Sequence, residues 1–240
     1  MGWPARGSLT QRSEADGASE LQGTLPNRRP PSIGAPMHIL GLCGSLRSGS
    51  LNRRLLEAAR RSLPDDAALE PSDHVAALPL FDEDLEVAAL PDAVQAFHAA
   101  IREADAVLIA SPEYNGSLTG PLKNALDWAS RPVGDAVLAG KPLAVVGASP
   151  SRFGAAWAQA ETRRIADRIG ARVIPLELPV AQAADAFNDD GDLRDPELAH
   201  RLERLVTALV DLAGGRTELD RLAAEDGAVP VGATPPSVAA

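Results

Sequence analysis

The chain has 240 residues, 45% of them hydrophobic but only 3% aromatic, and carries a formal net charge of −10. That length accommodates one α/β domain of ordinary size, with a core built from Leu, Val, Ile and Ala. The negative field excludes a general nucleic-acid or anionic-lipid surface, and no run approaches the roughly 18 consecutive apolar residues of a membrane helix.

Residues 1–36, ending "LPNRRPPSIGAP", are rich in Pro, Gly, Ser and charge and show no apolar period, so a disordered tail is expected there. Residues 216–240 have the same character, which places the folded domain at 37–215. Met37 stands just before the first strand; the residues ahead of it read either as a mis-assigned start or as a flexible extension. That N-terminus lacks the apolar segment of a secretion signal, and the cytoplasm is the expected compartment.

Within the domain "HILGLCG" is a short buried strand, and "LNRRLLEAARRSL" a helix with Leu51, Leu55, Ala58 and Ala59 on one face. Leu69 to Leu78, interrupted by Pro71, gives a weak second strand. "AVQAFHAAIREA" is a helix and "DAVLIAS" a buried strand; "GPLKNALDWASRP" is a helix with Pro121 in its first turn and Pro132 beyond its end. "KPLAVVGAS" is a strand, Ala155–Ile169 a helix, "ARVIPLEL" a fifth strand and Pro196–Leu212 a closing helix. Alternation at this spacing predicts a flavodoxin-like, doubly wound, five-stranded parallel sheet with helices on both faces. In such folds ligands sit at the carboxyl ends of the strands, here the loops "GSLRSGSLN", "SPEYNGSLTG" and "GASPSRFG".

Three phosphate-binding designs compete for the first loop. A Walker A loop fails because Ser50-Leu51 stands where Lys and a magnesium-binding hydroxyl belong. A dinucleotide fingerprint fails because Gly41 and Gly44 are wrongly spaced. A monophosphate design suits the residues: backbone N–H groups at a helix N-terminus, the hydroxyls of Ser45 and Ser50, the amide of Asn52 and the guanidinium of Arg47 all donate. The same Ser and Asn residues also suit a helix cap, and on this loop alone both readings stand. The second loop adds Pro112, the single tyrosine Tyr114 and the turn-forming Asn115-Gly116, surroundings fit for a flat heteroaromatic ring edged by acceptors. Flavin mononucleotide has such a ring and one phosphate.

Together, "GLCGSLRSGSLN", "SPEYNGSLTGPLKNALDW" and "KPLAVVGASPSRFG" closely resemble the NADPH-dependent FMN reductase family of flavodoxin-like proteins, which includes quinone and chromate reductases. The resemblance implies that Ser45, Arg47, Ser50 and Asn52 hold the FMN phosphate. It implies that Pro112, Glu113, Tyr114, Asn115 and Gly116 lie against the isoalloxazine, and that Ser149 and its neighbours help line it. The third loop departs from the family pattern, with Ser151 and Ala155 where glycines are frequent, and a Cβ there limits positive φ. Implied too are hydride transfer from NADPH or NADH to FMN, a small-molecule electron acceptor such as a quinone, metal oxyanion or free flavin, and a homodimer or homotetramer. No side chain is expected as nucleophile or metal ligand, because the flavin performs the redox chemistry.

An electron-carrier flavodoxin is the alternative, since an acidic surface suits carrier docking; carriers of that type, however, usually sandwich the ring between aromatic side chains. A receiver-type signalling domain would need an acidic cluster where Gly44-Ser45 stands. Cys43 reads as a small buried residue, His38, His74, His98 and His200 as surface or edge residues, and "DEDLE" as a solvated acidic turn. Trp128 and Trp157 read as packing or subunit-contact residues. "NDDGDLRDPE" matches several calcium-loop positions but has Ala186 at the first ligand position, and is read as a turn leading into a helix.

Overall fold

Short apolar runs bounded by Asp, Gly and Pro assemble into one parallel sheet. The computed structural model describes residues 36–216, so the two expected tails, 1–36 and 216–240, lie outside it except for Pro36 and Arg216. The first half comprises β1 (Met37–Cys43), α1 (Leu51–Arg61), β2 (Ala67–Ser72), α2 (His74–Ala77), α3 (Glu83–Ala88), α4 (Asp92–Glu103) and β3 (Ala106–Ala110). There follow β4 (Glu113–Tyr114), β5 (Ser117–Leu118), α5 (Gly120–Ala129), β6 (Pro142–Ala148), α6 (Ala156–Ile169), β7 (Arg172–Val173), β8 (Pro179–Val180) and α7 (Pro196–Ala213).

The sheet runs β2-β1-β3-β6-β7, with β8 also paired to β6, and all of these pairings are parallel. With β7 and β8 as halves of one broken strand, this is the flavodoxin-like order 2-1-3-4-5. Successive side chains on a strand point to opposite faces. Ile39, Leu108 and Val146 therefore pack with α1 and α7, whereas Leu40, Val107 and Val145 pack with α4, α5 and α6. The register sets Cys43 beside Ala110 and Ala110 beside Val146, so β1, β3 and β6 end nearly level and their exit loops converge.

The helix ends follow their capping residues. Ser50 caps α1 by accepting from the Arg53 N–H at 3.2 Å, and Arg60 and Arg61 occupy its last turn, where the helix dipole favours cations. Asp195 caps α7 through the Glu197 N–H, and Pro196 occupies the first position, where no N–H is needed.

Four expectations are corrected. The fifth strand is interrupted: Pro175 cannot donate to a ladder, and two α6 side chains serve the gap. There Leu178 N donates to Gln159 Oε1 at 3.3 Å, and Arg163 Nη1 to Leu176 O at 3.5 Å. The second strand is Ala67–Ser72, earlier than Leu69–Leu78, and tolerates Pro71 because β2 is an edge. "DEDLE" is not a turn but α3, capped by Asp82 and tied down by Arg131, which pairs with Glu83 at 2.7 Å and Glu86 at 2.8 Å. His98 is not at the surface but 3% exposed, its Nε2 2.8 Å from the Trp128 carbonyl. Burial there pushes its pKa down, opposed by the Trp128 hydrogen bond.

Candidate functional site

The first loop leaves β1 at Gly44, where only glycine fits: an added Cβ would stand 2.8 Å from Pro112 Cδ and 3.0 Å from Leu122 Cδ2. Gly44 N donates to Ala110 O at 2.9 Å, and Thr119 Oγ1, which caps α5, donates to Gly44 O at 2.7 Å. The first two loops are thus fastened to one another at their roots. Beyond that point Ser45 and Ser50 are buried, while Arg47 is exposed and its Nη2 donates to Gly49 O at 3.0 Å.

Ser50 is the helix cap and also faces the cleft. Asn52, 3% exposed, donates from Nδ2 to Ala148 O at 2.9 Å and accepts at Oδ1 from Ala148 N at 3.0 Å. One Nδ2 hydrogen remains available, because a carboxamide nitrogen carries two.

The second loop is a hairpin of minimal size. Glu113 pairs with Leu118 and Tyr114 with Ser117, and the turn residues Asn115 and Gly116 have φ 55° and 72°. Two consecutive left-handed residues make the tight hairpin turn for which Asn-Gly is the preferred pair. Glu113 Oε2 accepts from Ala158 N at 3.1 Å, and Glu161 Oε2 accepts from Ser117 Oγ at 2.6 Å and Leu118 N at 3.3 Å. Ala155, the N-cap of α6, makes no side-chain cap, so the Glu113 carboxylate serves an N–H of the first helical turn from another element.

The third loop is shaped by its serines. Ser149 N donates to Val180 O at 3.1 Å, and its hydroxyl accepts from Ser151 N at 3.1 Å. Gly154 has φ 60°, and a Cβ on it would lie 2.6 Å from the Pro179 carbonyl carbon. Ala155 follows at φ 62°, so the backbone takes the left-handed conformation although a Cβ replaces the frequent glycine.

Eight of the ten residues singled out from sequence line one cleft: Ser45, Arg47, Ser50 and Asn52 from the first loop, Pro112, Glu113 and Tyr114 from the second, and Ser149 from the third. Asn115 and Gly116 do not line it; they form the hairpin turn beside it. Leu51, Ala148 and Pro150 complete the lining; these three lie inside the quoted loops, but apolar side chains gave no chemical signal of their own. The cleft encloses about 550 Å3 including its open mouth. Hydroxyls, a cation and a helix N-terminus share its walls with Pro112, the exposed Tyr114 ring and Pro150. That mixture suits a phosphate joined to a flat ring.

The remaining features lie elsewhere. Cys43 is buried, its Sγ 3.5 Å from Ser45 O. Trp128 is fully buried, donates from Nε1 to Pro79 O at 2.9 Å and meets Phe81 edge-on. Trp157 is half-buried and meets the Phe153 ring at a tilt of 57°, with 4.5 Å between ring centroids. Asn188 closes its turn by accepting from Asp192 N at 2.8 Å. Among the described residues no His, Cys, Asp and Glu cluster has the arrangement of a metal site.

Comparison with known proteins points the same way. Residues 37–185 match the family model described as NADPH-dependent FMN reductase. An NAD(P)H-dependent FMN reductase of Pseudomonas aeruginosa is 41% identical over 174 residues, covering 71% of this chain and 92% of that protein. An NAD(P)H:quinone oxidoreductase of Solanum tuberosum is 43% identical over 181 residues, covering 73% and 92%. Among solved structures, the flavoenzyme NAD(P)H:(acceptor) oxidoreductase of Paracoccus denitrificans is similar with a TM-score of 0.67 at 36% identity, covering 75% of this chain and 98% of that one. With the loops, the strand order and these likenesses in agreement, the chain belongs to the NADPH-dependent FMN reductase family.

Proposed function

We propose that the cleft at the ends of β1, β3 and β6 is where this NAD(P)H-dependent flavin oxidoreductase binds FMN and brings it together with nicotinamide and acceptor. The observation that carries the reading is the convergence of all three loops on one cleft that combines phosphate donors with an aromatic and proline wall. FMN held there would supply the redox chemistry, a two-electron exchange between NAD(P)H and a small acceptor.

The protein's part is to bind and orient. Ser45 and Ser50 offer hydroxyls, the first turn of α1 offers unpaired N–H groups, and the exposed Arg47 supplies countercharge; together they would hold the phosphate. Pro112, Glu113 and Tyr114 would flank the ring, with Asn115 and Gly116 presenting turn amides and Ser149 contributing from the third loop. Amide N–H groups near a ring that gains negative charge on reduction favour the reduced form without any proton transfer by a side chain.

Quinones fit the acceptor role, which the name of the Solanum tuberosum relative supports. Metal oxyanions and free flavin need the same open ring face. The proposal includes a cytoplasmic enzyme acting as a homodimer or homotetramer. Exposed Leu80, Val87 and Val133 offer apolar surface for such contacts, and no helix among the described residues is long and apolar enough to cross a membrane.

The deciding experiment is absorption and turnover of the purified protein. A flavin band, reconstitution by added FMN and NAD(P)H oxidation without a partner reductase are expected. A protein that neither binds FMN nor consumes NAD(P)H refutes the assignment, and one that binds FMN but needs a separate reductase is the electron carrier instead.

A further inference from the structure

We infer that Glu161, on the second turn of α6, is a positioning residue that holds the hairpin β4–β5 in the wall of the cofactor cleft. The inference rests on the proposal that this hairpin flanks the flavin.

A ribbon with two residues in each strand has almost no stability of its own. Its place must come from what it leans on. Leu118 is one anchor, a buried side chain in the core between sheet and helices. The other two are carboxylates. Glu113 reaches from the hairpin to the Ala158 N–H, and Glu161 reaches back from the helix to the hairpin. Ala158 and Glu161 are three residues apart, hence on one face of α6. The two contacts therefore pin both strands of the ribbon against the same stretch of helix.

The Glu161 contact has a specific form. A single oxygen, Oε2, takes both the Ser117 hydroxyl at 2.6 Å and the Leu118 N–H at 3.3 Å. The second oxygen lies 3.9 Å from Arg164 Nη2, a largely exposed pairing, which contributes little. What the hairpin requires at position 161 is thus an acceptor of the right reach and not a negative charge. Because the turn Asn115-Gly116 joins the strand held by Glu113 to the strand held by Glu161, release of Ser117 and Leu118 leaves the turn amides and Tyr114 hinged on one strand only.

The test compares Glu161→Gln, Glu161→Leu and Gly116→Val in the full chain, reading the FMN dissociation constant and the midpoint potential of the bound flavin. Gly116→Val perturbs the turn directly, since Gly116 has φ +72° and nothing within 4 Å of its Cβ position, so the change is one of backbone strain. Glu161→Leu keeps bulk but no acceptor: the dissociation constant is expected to rise about tenfold, the factor for one or two lost hydrogen bonds, and the potential to fall. Glu161→Gln keeps a carbonyl oxygen and is expected to behave as wild type. If Glu161→Leu leaves both readings unchanged while Gly116→Val shifts them, Glu161 has no positioning role and the hairpin's place at the flavin stands. If neither variant shifts them, the hairpin does not flank the flavin and both proposals fall. A Glu161→Gln protein that matches Glu161→Leu also overturns the acceptor role. Should Glu161→Leu be insoluble, Ser117→Ala reads the same contact; a severalfold rise is expected, and an unchanged constant overturns the inference.

Discussion

Asn52 and Ala148 clasp each other at both ends, the carboxamide nitrogen donating to the Ala148 carbonyl at 2.9 Å and the carboxamide oxygen accepting from its N–H at 3.0 Å. The contact ties the first turn of α1 to the last residue of β6, and so the first loop to the third. Asn52→Ala leaves both buried backbone groups unpaired and is expected to cost about 2–4 kcal/mol of stability. Asn52→Asp keeps the acceptor for Ala148 N but sets a carboxylate against a carbonyl, so it should destabilise as well and weaken FMN binding further. Denaturant unfolding of the apo protein and FMN titration check both; a cost below about 0.5 kcal/mol for Asn52→Ala would show the clasp to be energetically idle.

Arg47 has a different role. It is exposed and bonded only to Gly49 O in its own loop, so it contributes little to the fold. In the proposed site its value lies in countercharge. Arg47→Ala is expected to weaken FMN binding by about 1.5–3 kcal/mol, the range of a charge-assisted hydrogen bond, with unfolding of the apo protein nearly unchanged. Arg47→Lys should recover part of the loss, because the charge remains and the planar fork does not. Unaltered affinity in Arg47→Ala removes the residue from the site.

What was legible in the sequence was local. The β3 run from Ala106 to Ala110 and the Thr119-Gly120-Pro121 opening of α5 carry their own boundary signals, and both elements form where those signals lie. What was not legible depends on partners distant in the chain. Gln159 and Arg163 serve the gap in the fifth strand from a helix that precedes it, and Arg131 secures an α3 too short to show periodicity. His98 looked like a surface residue because its acceptor, the Trp128 carbonyl, belongs to another helix. The site divides in the same way: loop motifs identified eight residues that share the cleft, but could not say that Asn52 is spent largely on Ala148 or that Glu161 supports the hairpin.

Ala155 marks a position where this chain accepts strain. Its φ of 62° lies in the left-handed region, which costs a residue with a Cβ roughly 1–2 kcal/mol relative to the right-handed one. Ala155→Gly should therefore raise stability, by about 0.5–1 kcal/mol after the greater flexibility of the unfolded chain is counted. The neighbouring Gly154→Ala should do the reverse and more strongly, since its Cβ would press within 2.6–2.8 Å of the Pro179–Ala181 backbone. Thermal melts of the two variants should move in opposite directions; equal shifts would contradict the backbone geometry.

His98 should make the protein sensitive to mild acid. It is buried between α4 and the end of α5, and its pKa is held below the ordinary 6.5 chiefly by that burial, with the Trp128 hydrogen bond opposing, Arg102 lowering it further and Glu86 raising it. The neutral ring donates from Nε2 to the Trp128 carbonyl. A base with a depressed folded pKa binds fewer protons folded than unfolded between its two pKa values, so unfolding takes up a proton there. Its stabilising contribution is complete above about pH 6.5, falls as the pH drops from there toward the folded pKa, and levels off below it. The slope from this one group is bounded at about 1.4 kcal/mol per pH unit, the value for one whole proton. Replacement by Gln, which can still donate but does not titrate, should remove that part of the slope; unfolding free energies between pH 7 and 5 for wild type and His98→Gln that run parallel would refute the assignment.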